Sequence, residues 1–232
     1  MASTIFARGR MAAGVATVLA IGSGLRYPGG TFRDHATSAY SLTHNFLSDL
    51  GMTVAHNGEP NRLGALLFVL SLTILVVGMG ACLFGFVRIH SRVSASRPWT
   101  LAAAVVGALV CASFVGVALT PENGPLALHI AFTRFAFRAF PMVALLMAVA
   151  TWQDPNVPRQ VPAVWVLFTV GLAAYVGVLD FGPRVSAPGG LVTQVVAQKL
   201  VAIVAVLTIV YQSYQADASR APAALPVEAL TR

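Results

Sequence analysis

The chain has 232 residues, 57% hydrophobic and only 10% charged, with a mean hydropathy of +0.76. A soluble domain carries about 25% charged residues, so an ordinary water-facing surface is excluded. The net charge of +7 does not point to nucleic acid, because the basic residues are spread thinly and form no run or known binding motif.

Spans need about 20 apolar residues each, which leaves room for six and one sizeable loop. Apolar runs fall at 11–27, 63–87, 99–120, 126–151, 163–181 and 191–213. The fold class expected is therefore all-α, a polytopic bundle of six transmembrane helices forming one domain over 1–215. Arg8 and Arg10 before the first run resemble a signal-peptide start. No small-x-small site follows, only Ser23-Gly24-Leu25-Arg26, so a retained span is expected, with Arg26 snorkelling to the interface.

With the N-terminus inside, the inner segments hold Arg8, Arg10, Arg88, Arg92, Arg97, Arg159, Arg220 and Arg232. The outer ones hold Arg26, Arg33, Arg62 and Arg184. Eight against four predicts both termini in the cytoplasm. Trp99, Trp152 and Trp165 all fall at the same predicted inner interface, where amphipathic rings anchor.

The loop at 28–62 is far longer than the two to eight residues usual between helices. Tyr40, Leu47 and Leu50 predict a short helix near 38–50, ended by Gly51. There His44 and Ser48 share a face, as do Asn45 and Asp49. Asn57-Gly58 predicts a turn, and Pro60-Asn61 the start of the second span.

Further along, Ala103, Gly107 and Cys111 repeat at four-residue spacing and predict close helix packing. Cys82 and Cys111 sit about 10 Å apart in depth, too far for a disulfide. No internal repeat marks an inverted-repeat transporter. The tail over 216–232 is Ala/Pro-rich and expected to be disordered.

The strongest chemical signal lies inside the spans. Arg134 and Arg138 share a face of span four, with His129 before them and Pro141 after, where a kink is expected. Lys199 follows Gln194 and Gln198 in span six, and Asp180 closes span five. Each such cation costs about 2.5–3.5 kcal/mol on insertion scales, so all three need partners. Two explanations compete. The cations could pair with Asp49, Asp180 and Glu122 and hold the bundle together. Alternatively, cations exceed reachable acids and the surplus binds an anion such as a lipid phosphate. The candidate ligand-binding set is Asn45, Ser48, Asp49, His129, Arg134, Arg138, Asp180 and Lys199.

Other chemistries have thinner support. His44, Asp49 and His129, with His35 and His56, could contribute to a metal site, but their spacing fits no zinc signature. Ser48 lacks a nucleophile elbow. No haem, quinone or nucleotide motif and no glycine-rich phosphate loop is present, so no cofactor is expected.

The stretch Asn45-Phe46-Leu47-Ser48-Asp49-Leu50-Gly51 resembles the N-x-x-S-D-L-G signature of the prokaryotic membrane family called domain of unknown function 998. Tyr40 and Asn61 fit that pattern too, and Thr120-Pro121 through His129 resembles a second polar landmark. A Ser-Asp-x-Gly stretch is also similar to one in Frag/DRAM/Sfk-like membrane proteins. The resemblance implies about six spans and singles out Asn45, Ser48, Asp49 and Gly51. It implies no activity. The function expected is binding of a lipid or small anionic ligand in an outer-side polar pocket, as an accessory or sensory subunit of a larger membrane complex. A lipid head-group hydrolase using His129 or His44, and a small transporter, are the alternatives.

Overall fold

A computed structural model describes residues 2–218. Six helices account for most of them: α1 Ala2–Arg26, α2 Arg62–His90, α3 Arg97–Leu119, α4 Leu126–Trp152, α5 Gln160–Phe181 and α6 Gly190–Ala218. Each is long and apolar enough to cross a membrane, and the chain is a six-helix multi-pass membrane bundle. Every helix packs against the next in sequence, and α6 returns to α1, so the six close into a ring. The expected disordered tail falls almost wholly outside the described residues; α6 itself continues to Ala218.

Lipid tails are as apolar as leucine, so burial does not drive these helices together; packing does. The tightest seam is α1 on α2. A Cβ on Gly78 would stand 2.6 Å from Ala12 Cβ, and one on Gly9 would run into Cys82 Sγ. Gly107, from the predicted small-residue stripe, admits Leu83 in the same way. The middle of the ring is filled by edge-to-face aromatic pairs, the favoured geometry for ring quadrupoles. Phe114 meets Phe137 at 5.5 Å, Phe137 meets Tyr175 at 4.8 Å, and Phe140 meets Phe168 at 5.4 Å.

The two ends of the ring differ. One carries the long segment 27–61 as a cap, together with the α3–α4 and α5–α6 turns. The other carries both described chain ends. There Arg10 closes α1 on α6, with Asp217 at 2.8 Å, Ser213 Oγ at 3.3 Å and the Tyr214 ring beneath it. Arg10 is thus part of α1, which starts nine residues before the apolar run that predicted it. All three tryptophans lie at this uncapped end. Trp99 and Trp152 are exposed, as anchors should be, but Trp165 is buried between Phe86 and Phe168 and belongs to the core.

In the cap, the helix expected near 38–50 shrinks to a single 3-10 turn at Ser48–Gly51. The cause is side-chain competition for backbone donors. Asn45 Oδ1 accepts the Ser41 N–H at 2.9 Å, and Asp49 Oδ2 accepts that of Phe46 at 3.2 Å. The Asn57-Gly58 turn is present, with Gly58 at φ +87° and an isolated bridge between Val54 and Pro60. Gly30 fixes how the cap enters. It sits at φ +80°, and a Cβ there would run into Asn57 N. Gly30→Ala combines strain with backbone overlap, and we expect it to cost about 2 kcal/mol or more. A lowered melting midpoint in detergent, with Gly171→Ala as a control whose Cβ meets open space, checks this.

Candidate functional site

The cap is organised around two buried side chains four residues apart. Asn45 is wholly buried and Asp49 is 1% exposed. Asn45 Nδ2 donates to Asp49 Oδ2 at 2.8 Å and to Gly30 O at 2.9 Å. Asn45 and Asp49, expected to share one face of a loop helix, are instead bonded to each other directly where no helix runs. Asn61 Nδ2 continues the lattice to Leu50 O and Met52 O at 3.1 and 2.8 Å. Gly51 packs against Phe68, where a Cβ would stand 2.7 Å from the ring.

Positive charge reaches this lattice from two directions. His56 Nε2 approaches Asp49 Oδ2 at 3.4 Å. That hydrogen bond is the main reason its imidazole pKa is raised above the usual value, against the opposing effect of burial. From α6, Lys199 Nζ donates to Asn45 O and lies 5.1 Å from the centre of the Tyr40 ring. Beside it, Gln198 Oε1 accepts the Leu47 N–H at 2.8 Å. Tyr40 Oη donates to Phe46 O at 3.1 Å. Burial raises the phenols of both cap tyrosines, that of Tyr27 to about 12.

On the far side, the cap is tied to the α3–α4 turn. Ser48 Oγ donates to Glu122 Oε2 at 3.1 Å. Asn123 holds Thr53 twice, through the Thr53 N–H at 3.0 Å and its hydroxyl at 2.9 Å. The Ser48 bond brings the Glu122 carboxyl to the residue preceding Asp49. Burial, then the Asp49 charge, raises the pKa of Glu122.

Other sequence-predicted residues stand elsewhere. Arg134 and Arg138 share a face, but it is the outward face of α4, and both are exposed. Arg138 grips Asp180 in a two-pronged pair, at 2.7 and 3.1 Å. Asp49 thus turns inward without meeting either arginine. His129 is buried with Nδ1 donating to Thr120 O at 2.5 Å, which fastens the start of α4 to the end of α3. His44 is exposed beside Ser41 and Thr43. Among the described residues no three His, Cys, Asp or Glu side chains converge in metal-binding geometry. α4 runs unbroken through Pro141.

Beneath the cap lies a cavity of ≈ 160 Å³ inside the ring. Leu47 and Ser48 roof it, Phe137 and Phe140 floor it, and α2 and α6 flank it through Leu72 and Ala202. Its walls are almost wholly apolar; Ser48, Thr133 and Gln198 are the polar residues among them. A second cavity of ≈ 250 Å³ opens at the uncapped end. On its wall His90 Nδ1 donates to Asp154 Oδ2 at 2.9 Å, both side chains being buried. This pair was not anticipated from the sequence. The signal available was one histidine ending span two and one aspartate just past span four, both on the same predicted side.

No family model, curated protein or solved structure matches this chain.

Proposed function

We propose that the protein binds a single membrane lipid, drawing an acyl chain into the cavity under the cap. The observation that carries this is the cavity's lining. Apart from Thr133 and Gln198 the helices line the cavity with apolar side chains, and Leu47 and Ser48 close it above. An empty apolar space of this size loses dispersion contacts on all its walls. In a bilayer the abundant group able to restore them is a lipid tail. Lys199, beside Gln198 at the rim, is the cation placed to meet an anionic head group. The distribution of Arg residues in the loops supports a cytoplasmic N- and C-terminus, with the cap on the outer side and the lipid drawn from the outer leaflet. The likeness of Asn45–Gly51 to the signature of domain of unknown function 998 falls on the cap that closes this cavity.

Native mass spectrometry of protein released gently from its membrane tests the proposal. Wild type is expected to retain about one lipid per chain. Ala202→Trp, which fills the cavity from α6, should retain at least about tenfold less. Arg138→Ala lies outside the cavity and should leave retention unchanged. Equal retention by wild type and Ala202→Trp would remove the cavity as the site. Loss in Arg138→Ala would move the site to the outer face of α4.

A further inference from the structure

Ser48 Oγ, bonded to Glu122 Oε2 at 3.1 Å, brings a second carboxyl beside Asp49, and the surroundings of the two are unequal. Asp49 Oδ2 accepts the Asn45 amide and the Phe46 N–H, with His56 behind them. Asp49 Oδ1 is equally buried, yet no N–H or hydroxyl among the described residues donates to it. A buried carboxylate oxygen with no donor is costly, by about 1–3 kcal/mol. The further carboxyl brought here is that of Glu122, whose Oε2 accepts from Ser48 Oγ. Two carboxylates in contact repel, but one carboxylate and one carboxylic acid form a strong O–H···O bond.

We propose that Glu122 and Asp49 hold one proton between them, and that this proton fastens the cap to the α3–α4 turn. Glu122 carries it, because Asp49 has more donors to stabilise its negative form: an amide, a backbone N–H and an imidazole. The Glu122 O–H then donates to Asp49 Oδ1 and supplies the missing donor. Loss of the proton to water leaves two facing negative charges at the roof of the cavity. Ser48, which both lines the cavity and bonds Glu122, is the hinge between this clamp and the space below.

Burial and the Asp49 charge hold the proton on Glu122, while the His56 cation and the Ser48 hydroxyl oppose it and are outweighed. His56, from the cap, favours a negative Asp49, and its own raised pKa keeps it cationic further up the pH scale. Lys199, from α6, donates to Asn45 O. Tyr27 and Tyr40 stay neutral, their phenols raised by burial. His35 stacks edge-on to His56 at 6.3 Å. From α4, His129 is committed to Thr120 O. A raised Glu122 pKa means the closed cap binds a proton that the open cap releases above the ordinary glutamate range. The contribution is full at low pH and is lost as pH rises through the folded value. A raised His56 pKa has the same sign. The cap therefore tightens in acid and loosens in base. This does not depend on what occupies the cavity.

Hydrogen–deuterium exchange on the intact protein in detergent, corrected for intrinsic rates, provides the test. The amides of 47–53 should lose protection as pH rises, by about tenfold per pH unit wherever opening releases one proton. Glu122→Gln keeps a donor for Asp49 and an acceptor for Ser48 but cannot ionise, so its cap should stay protected with that slope removed. His56→Gln should keep the Glu122 slope. A wild-type cap with pH-independent protection overturns the proposal, as does a slope that survives in Glu122→Gln and vanishes in His56→Gln. Infrared difference spectra of wild type alone give a second readout. A protonated-carboxyl band that titrates together with cap protection is expected, and its absence under acid conditions would also overturn the shared proton.

Discussion

Asp49→Ala should destabilise the bundle by about 3 kcal/mol and detach the cap. The substitution removes one acceptor from three donors at once. Asn45 Nδ2 loses one of its two acceptors, the Phe46 N–H loses its own, and His56 loses the group that raises its pKa. Each buried polar group left unpaired costs about 1–3 kcal/mol. The losses couple, because Asn45 also ties Gly30 and Ser41 and supports Lys199 through its carbonyl. Asp49→Asn keeps an acceptor oxygen in place and should recover most of the loss. Melting midpoints and limited proteolysis within 27–61 would check both. An Asp49→Ala protein as stable and as protease-resistant as wild type would mean the lattice contributes little.

Asp154→Ala should cost a similar amount or more, about 3–5 kcal/mol, at the opposite end of the molecule. Breaking a buried charged or hydrogen-bonded pair by deleting one member strands the other. His90 and Asp154 are both buried, and Asp154 Oδ1 also accepts the Asn156 N–H at 3.0 Å, which shapes the α4–α5 turn. Asp154→Ala thus leaves the His90 Nδ1–H and a turn donor without this acceptor. His90→Ala should cost less than Asp154→Ala, because the Asn156 contact survives it. The double variant should fall well short of the sum of the singles, since both remove one shared bond. A strictly additive double variant in the same melting assay would deny the coupling.

The helices were legible in the sequence because the bilayer sets one simple demand: about 20 apolar residues per crossing. Their ends agree with the hydropathy boundaries to within a few residues, apart from the start of α1. There Arg8 and Arg10 are polar yet helical, since Arg10 finds Asp217 on α6, a partner no local pattern reveals. The cap was legible in its residues but not in its shape. Asn45, Ser48, Asp49 and Asn61 stood out, yet their spacing suggested a helix because four-residue intervals put side chains on one face. Their amide and carboxyl groups satisfy the backbone directly instead, and the coil needs no helix to be paired. The intramembrane cations were least legible. A hydropathy scale measures the cost of Arg138 at depth but not its direction, and pairing with Asp180 lets it face outward. Glu122 gains its place only once the α3–α4 turn folds against Ser48, a contact 74 residues long in sequence.

The closed ring also bears on how the chain assembles. Each helix packs against its neighbours in sequence, so five of the six lateral seams join sequence neighbours. Such local topology favours rapid assembly as segments emerge one after another. The sixth seam must wait for the last segment to reach back to the first, guided by Arg10, Ser213 and Asp217. That late-forming zipper is where an unfinished molecule stays open, and where strain applied to the finished one will first let it part.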